Sequence, residues 1–267
     1  MQRFACCVPW NSPFVFLKFA RLALNLEPPS GWRVKWFFGN GSMPAERHVD
    51  ACEQALAWNA DLLCILGADQ EYQDEDMLCR LLARWEEVGG HGIVAALVPM
   101  RGYVDWNEGS KPFQPQAWRL ESTHEIVDGK VIVHETRHLI RREDGPFQRA
   151  HLIGSGVTLF HREVILGLRQ PWFFERVDPL TMRRIADQDS YALYRMQVET
   201  HTPLYVDTTI RVAHDHVMSI DDSFQERFAN WADPTTPGID RSICRFRAEL
   251  PGMTSVDVTL ADHPRES

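Results

Sequence analysis

Residues 60–70 read Ala60-Asp61-Leu62-Leu63-Cys64-Ile65-Leu66-Gly67-Ala68-Asp69-Gln70. Leu62 to Leu66 is an unbroken apolar run between polar turn residues. Such a run suits a strand covered on both faces, as in a parallel sheet. It ends in a small acidic tip, Gly67-Ala68-Asp69. In open α/β sheets, ligands bind beyond the carboxyl ends of the strands. A carboxylate beside two small residues leaves room there for a hydrated metal and a phosphate. The competing reading makes Asp69 the cap of a helix that starts at Asp74-Glu75-Asp76.

Upstream of this stretch, Arg3 to Val8 reads as a first strand, broken by Pro9-Trp10-Asn11. Ser12 with Pro13 opens a helix, and Glu27-Pro28-Pro29 stops it after about Leu26. Trp32, Val34, Trp36 and Phe38 alternate with Arg33 and Lys35, the period of a second strand. The loop Gly39-Asn40-Gly41-Ser42 leads to a second helix at Pro44, with Val49, Cys52, Ala55 and Leu56 on one face. Downstream, Met77, Leu78, Leu81, Leu82 and Trp85 mark a further amphipathic helix, ended by Gly89-Gly90, and Ile93 to Val98 is another strand. The order β-α-β-α-β-α-β predicts an α/β fold with a doubly wound, mostly parallel central sheet.

After Met100 the pattern changes. Residues 101–116 hold Pro, Gly, Trp and charges without a period, and a loop of this length points to a functional lid. Asp128-Gly129 between Ile126-Val127 and Val131-Ile132-Val133 predicts a small antiparallel hairpin. Gly154-Ser155-Gly156 precedes a strand from Val157 to Phe160 and a short helix from Arg162 to Leu168. Asp187-Gln188-Asp189 opens a helix that runs to about Val198. Leu204-Tyr205-Val206 is a last strand and leads to His214-Asp215-His216. The expected division is a catalytic domain over 1–218 and a C-terminal tail over 219–267, with one short helix near Phe224–Trp231.

The net charge of −9, from 28 basic and 37 acidic side chains, comes without a basic run, so no nucleic-acid footprint is expected. A small anionic ligand then needs a local positive charge or a metal. The six cysteines include no Cys-x-x-Cys pair. They read as buried thiols of a reducing, cytoplasmic compartment. Pro9, Asn11, Pro13 and Lys18 interrupt the apolar N-terminus, which argues against a signal peptide. No run of about 18 apolar residues predicts a membrane span.

These landmarks, in this order, resemble the GT-A glycosyltransferases that use nucleotide sugars. Val8-Pro9-Trp10-Asn11 is similar to that family's first turn. Pro44-Ala45-Glu46-Arg47 resembles its arginine-bearing second helix. The stretch from Ala60 to Asp69 resembles its acidic strand end. Gly154-Ser155-Gly156-Val157, Arg162 and Pro171-Trp172-Phe173 resemble its acceptor-side segment. Gln188-Asp189-Ser190-Tyr191 resembles its catalytic helix start, and Tyr205-Val206-Asp207-Thr208 leading to His214 resembles its closing strand. The match spans roughly residues 3–216. It departs from the pattern at Gly67, where the family has the first acid of its acidic motif, and at Gln188, where it has a glutamate.

The resemblance implies transfer of a sugar from a nucleoside-diphosphate sugar, UDP-linked for instance, to an acceptor hydroxyl, assisted by Mn²⁺ or Mg²⁺. Asp69 with His214 or His216 would hold the metal, and Asp189 would be the general base. The donor side would comprise Pro9, Trp10, Asn11, Asn40 and Arg47 with the tip Gly67, Ala68 and Asp69. The acceptor side would comprise Arg101, Gly154, Ser155, Gly156, Trp172 and Phe173. Each has a plainer alternative. Asp189 can serve only the helix start, Arg47 can sit on a solvated face beside Glu46, and Trp10, Trp172 and Phe173 can be core packing. Two other functions compete. A nucleotidyltransferase of similar topology needs a glycine- and lysine-bearing loop after the first strand, which Cys7 to Ser12 does not provide. A sugar-nucleotide binding module without turnover is suggested by Gly67.

Overall fold

The computed structural model describes residues 1–10, 17–99, 117–127, 130–177, 184–186 and 188–214. In chain order the elements are β1 (Gln2–Pro9), α1 (Leu17–Asn25), β2 (Trp32–Gly39), α2 (Pro44–Ala57), β3 (Leu62–Leu66), β4 (Gln70–Tyr72) and α3 (Met77–Glu87). There follow β5 (Ile93–Ala96), β6 (Ala117–Val127), β7 (Lys130–Leu139), β8 (Phe147–Ala150), β9 (Leu152–Ile153), β10 (Val157–His161) and α4 (Arg162–Leu166). The series closes with β11 (Arg176–Val177), β12 (Arg184–Ala186), α5 (Gln188–Thr200), β13 (Leu204–Asp207) and β14 (Val212–His214).

The fold is mixed α/β. Its central sheet has seven strands in the order β2-β1-β3-β10-β5-β13-β8. The pairs β1–β2, β1–β3 and β5–β13 are parallel, while β10 and β8 run antiparallel to their neighbours. All four strands expected in the first hundred residues therefore lie in one mostly parallel sheet. The expected strand from Ile93 to Val98 is shorter, ending at Ala96. The antiparallel β10 lies between β3 and β5, an insertion that local pattern does not signal.

The apolar run at Leu62–Leu66 is buried on both faces, as its composition demands. Leu63 and Ile65 join one core with residues of α2, α4 and α5, whereas Leu62, Cys64 and Leu66 join the other with residues of α1 and α3. This is the period-2 alternation of a strand with helices on either side. Fully burying each such side chain contributes roughly 1.5–3 kcal/mol. The thiols of Cys6, Cys7, Cys52 and Cys64 are free and buried in these cores. Burial drives the Cys64 thiol far above its ordinary range, which keeps it protonated and inert.

The hairpin expected around Asp128-Gly129 forms as β6 and β7, paired from Trp118↔Leu139 to Val127↔Lys130. Among the described residues, no helix is long and apolar enough to cross a membrane. The expected lid over 101–116, the helix start at Ser12 and the tail over 219–267 lie outside the described residues.

Candidate active site

The site lies at the carboxyl edge of the parallel strands. β10 runs the other way, so the segment before it, Gly154-Ser155-Gly156, arrives at the edge where β3 ends. Val157 pairs with Leu66. One step beyond, the Gly67 N–H donates to the Gly156 carbonyl at 2.7 Å. The acidic tip and the Gly-Ser-Gly segment, far apart in sequence, are thus hydrogen-bonded neighbours.

Asp69 does not cap the next helix. The chain instead enters β4, and α3 begins at Met77 after Asp76. β4 pairs antiparallel with β14, and the register sets Gln70 opposite His214. The backbone therefore brings His214 beside the residue that follows Asp69. His216 lies outside the described residues.

The structure gives a physical account of Gly67. A Cβ at position 67 would stand 2.7 Å from the Gln70 amide nitrogen, and one at position 156 would stand 1.9 Å from it. The Gln70 side chain fills the space an acidic side chain at position 67 would need. It is 3% exposed, and its Oε1 has no hydrogen-bond partner among the described residues. The Tyr72 hydroxyl, also buried, donates to the Gly67 carbonyl at 2.6 Å and fixes the tip from below. The space beside position 67 is thus held by a neutral amide.

Asp189 stands in the first turn of α5. Its Oδ2 accepts from the Ser155 N–H at 3.3 Å and from the Ser155 hydroxyl at 3.2 Å, and its Oδ1 accepts from the Ser190 N–H at 2.8 Å. Ser155 is thereby a holder of Asp189, and it is 2% exposed. The carboxylate does more than complement the helix start, because it ties α5 to the Gly-Ser-Gly segment.

A residue absent from the sequence candidates completes this group. His48, on α2, is buried and brings its Nε2 to 3.4 Å from Ser155 Oγ. Its Nδ1 lies 2.8 Å from the Pro44 carbonyl. A carbonyl only accepts, so Nδ1 carries the proton and Nε2 faces Ser155 with its lone pair in the neutral ring. The ring stacks on Phe173 at 4.8 Å between centroids. Burial holds the imidazole below its ordinary range against the opposing pull of the Pro44 carbonyl and Asp189, and Arg47 adds to the lowering. A signal did exist. The buried face of α2 is His48, Ala51, Cys52 and Ala55, so a lone imidazole sits on a helical apolar stripe. The expected face members Val49 and Leu56 are only half-buried.

The remaining candidates divide by position. Pro9 ends β1 opposite Gly39, and Trp10 packs partly buried against the core. The Asn40 N–H donates to Asp50, and Arg47 spends its Nε on the Gly41 carbonyl and an Nη on the Ser42 carbonyl. These bonds brace the loop after β2. Ala68 and Gly154 are buried beside the tip and Ser155. Trp172 and Phe173 are 6% and 2% exposed, so both are core rings, Phe173 stacked on His48, and not an open stacking wall. Arg195 holds their segment in place by donating to the carbonyls of Arg169, Pro171 and Trp172. Asn11 and Arg101 lie outside the described residues. A pocket lined by His91, His161, Glu163 and His201 opens at the opposite edge of the sheet and contains none of the candidates.

No protein-family model matches this chain, and no curated protein sequence matches it. Among solved structures, A197 from STIV is similar over 83% of this chain and 98% of its own, with 14% identity and a TM-score of 0.45. A UDP-glucose pyrophosphorylase from Acinetobacter baumanii is similar over 69% of this chain and 56% of its own, with 8% identity and a TM-score of 0.34.

Proposed function

We propose that this chain is a GT-A type glycosyltransferase that moves a sugar from a nucleoside-diphosphate sugar to an acceptor hydroxyl. One observation carries the reading. The Asp69 tip, the Gly-Ser-Gly segment and Asp189 are joined at one sheet edge through the Gly67–Gly156 and Ser155–Asp189 hydrogen bonds. The segments that carry Asp69 and Asp189 are thus linked at the edge where α/β sheets bind ligands, which supports reading them as donor-side acid and base.

In this reading Asp69, at the end of the tip, serves the diphosphate side of the site. Asp189, with Oδ2 anchored to Ser155 and Oδ1 to the Ser190 N–H, removes the proton of the acceptor hydroxyl as that oxygen attacks the sugar carbon. The anchoring fixes the base before the acceptor arrives, so little reorganisation is left for the reaction. The configuration at the sugar carbon is inverted.

The residues at the tip offer a partial shell for Mn²⁺ or Mg²⁺. Asp69 and His214 would hold the ion, and Gln70 Oε1, which has no hydrogen-bond partner among the described residues, is an oxygen of the type these ions take. Among the described residues no three His, Cys, Asp or Glu side chains form a metal set on their own. Diphosphate oxygens and water would fill the remaining positions. When bound, the ion would act as a Lewis acid for the departing diphosphate.

A thermal-shift panel of nucleoside diphosphates and nucleotide sugars with Mn²⁺, followed by product analysis, tests the reading. Stabilisation by one base and acceptor-dependent release of its nucleoside diphosphate support it. Stabilisation without consumption favours the second reading, a binding module, to which the neutral Gln70 amide in place of an acid lends weight. Release of pyrophosphate from a nucleoside triphosphate and a sugar phosphate favours a nucleotidyltransferase.

A further inference from the structure

We infer that His48, Ser155 and Asp189 take up the acceptor's proton as one unit, with His48 as its far end and a positioning residue for the base. The inference rests on the reading of Asp189 as the base. His48 Nδ1 is committed to the Pro44 carbonyl, so the neutral ring offers only a lone pair at Nε2. Asp189 Oδ2 is likewise an acceptor. Ser155 Oγ stands between them, 3.4 Å from one and 3.2 Å from the other, with a single proton to give. In the resting state one of the two contacts has no proton.

One added proton completes the row. If it sits on Asp189 Oδ2, that group donates to Ser155 Oγ and the serine hydroxyl turns to His48 Nε2. If it sits on Nε2, the imidazolium donates to Oγ and the hydroxyl donates to the carboxylate. Both placements leave every member bonded, and a buried polar group gains most from such completion. The contacts are long in the free protein, as catalytic hydrogen bonds often are before substrate binds.

The step balances. The acceptor O–H bond breaks as its oxygen bonds the sugar carbon, and the proton passes to the Asp189 carboxyl. Ser155 then hands its own proton to His48 while receiving the one on Oδ2. Asp189 returns to the carboxylate and His48 becomes the imidazolium. The charged groups facing the ring are Asp189 from α5, which favours that cation, and Arg47 from α2, which opposes it. The uncharged Phe173 ring covers one face.

The arrangement is not a serine nucleophile with its base and orienting acid. In that design the acid holds the far nitrogen of the imidazole and the serine is open to substrate. Here a backbone carbonyl holds Nδ1, the acid contacts the serine, and the serine is 2% exposed.

The test is an NMR titration of the histidine side chains in the full chain, with His48 assigned by the signal lost in His48→Gln. The expected result is that Ser155→Ala and Asp189→Asn both move the His48 midpoint to lower pH. Wild type should keep the proton on Nδ1 in the neutral form. A midpoint unmoved by both variants, or a neutral ring protonated at Nε2, overturns the inference. In turnover, His48→Gln should lower kcat roughly tenfold to a hundredfold with the donor KM unchanged, and move the acid limb of the pH profile down, because the base loses proton affinity. An acid limb that stays in place overturns the relay even if kcat falls. The titration needs no sugar donor. A shifted midpoint in a protein that transfers no sugar leaves the proton unit standing and removes the glycosyltransferase reading alone.

Discussion

Gly67 donates its backbone N–H to the carbonyl of Gly156 at 2.7 Å, and the Gln70 amide packs against the Cα atoms of both. Two glycines and one buried glutamine therefore make the joint between the acidic tip and the segment that holds Asp189. The joint is tight enough to be tested by adding a single methyl group.

Gly156→Ala would place its Cβ 1.9 Å from the Gln70 amide nitrogen. Gln70 is buried and cannot swing freely. The substitution should cost about 1–3 kcal/mol of stability, the usual range for overpacking. Gln70→Ala in the same chain should recover much of that loss. Urea denaturation of both single variants and the double variant checks this through their non-additivity. Additive losses would place the strain elsewhere.

How much of this was legible in the sequence depends on the range of the interaction. The run Leu62–Leu66, the Gly-Ser-Gly segment and the helix start at Asp189 are local signals: the run forms β3, the segment leads into β10, and Asp189 stands in the first turn of α5. The insertion of antiparallel β10 between β3 and β5 is non-local and left no trace in periodicity. The same is true of the β4–β14 pairing that sets His214 opposite Gln70. His48 had a trace, an imidazole on an apolar stripe, but its partner Ser155 is remote in sequence. The filling of the space at Gly67 by Gln70 is a packing fact, and composition alone shows only the missing acid.

Asp207 ends β13 and is 1% exposed. It accepts from Arg84 Nε at 2.8 Å and from the Thr209 N–H at 2.8 Å and hydroxyl at 2.5 Å. Burial opposes its charge, but the Thr209 and Arg84 bonds outweigh this and hold the carboxyl below its usual range. Its stabilising contribution is therefore complete above the unfolded value of about 3.9 and is lost as pH falls through the lower folded value. Arg84→Met should cost about 2 kcal/mol at pH 7, since it strips a buried carboxylate of its cation. The variant should also lose less additional stability on acidification. Denaturant midpoints from pH 7 down to pH 3 check both, and parallel curves for the two proteins would count against the pair.

Asp189→Asn should lower transfer by about 10²–10⁴-fold, the range of a lost general base. Nucleotide affinity should stay within a few-fold, because the base acts on the acceptor. The amide can keep the Ser155 hydroxyl as a partner, so the fold should persist, and a thermal scan controls for this. Near-wild-type transfer in a folded variant would return Asp189 to the role of a helix-start residue.

The proposed function requires metal-assisted sugar transfer at the Asp69 edge. Its most direct measurement is acceptor-dependent kcat against Mn²⁺ concentration for wild type, Asp69→Ala and His214→Ala. With a single acid at the tip, metal should bind weakly alone and far better with the nucleotide. Asp69→Ala should lose about 3 kcal/mol of leaving-group stabilisation, roughly a hundredfold in rate. His214→Ala should fall alongside it. Wild-type turnover that survives chelation unchanged, with Asp69→Ala equally active, would contradict the claim.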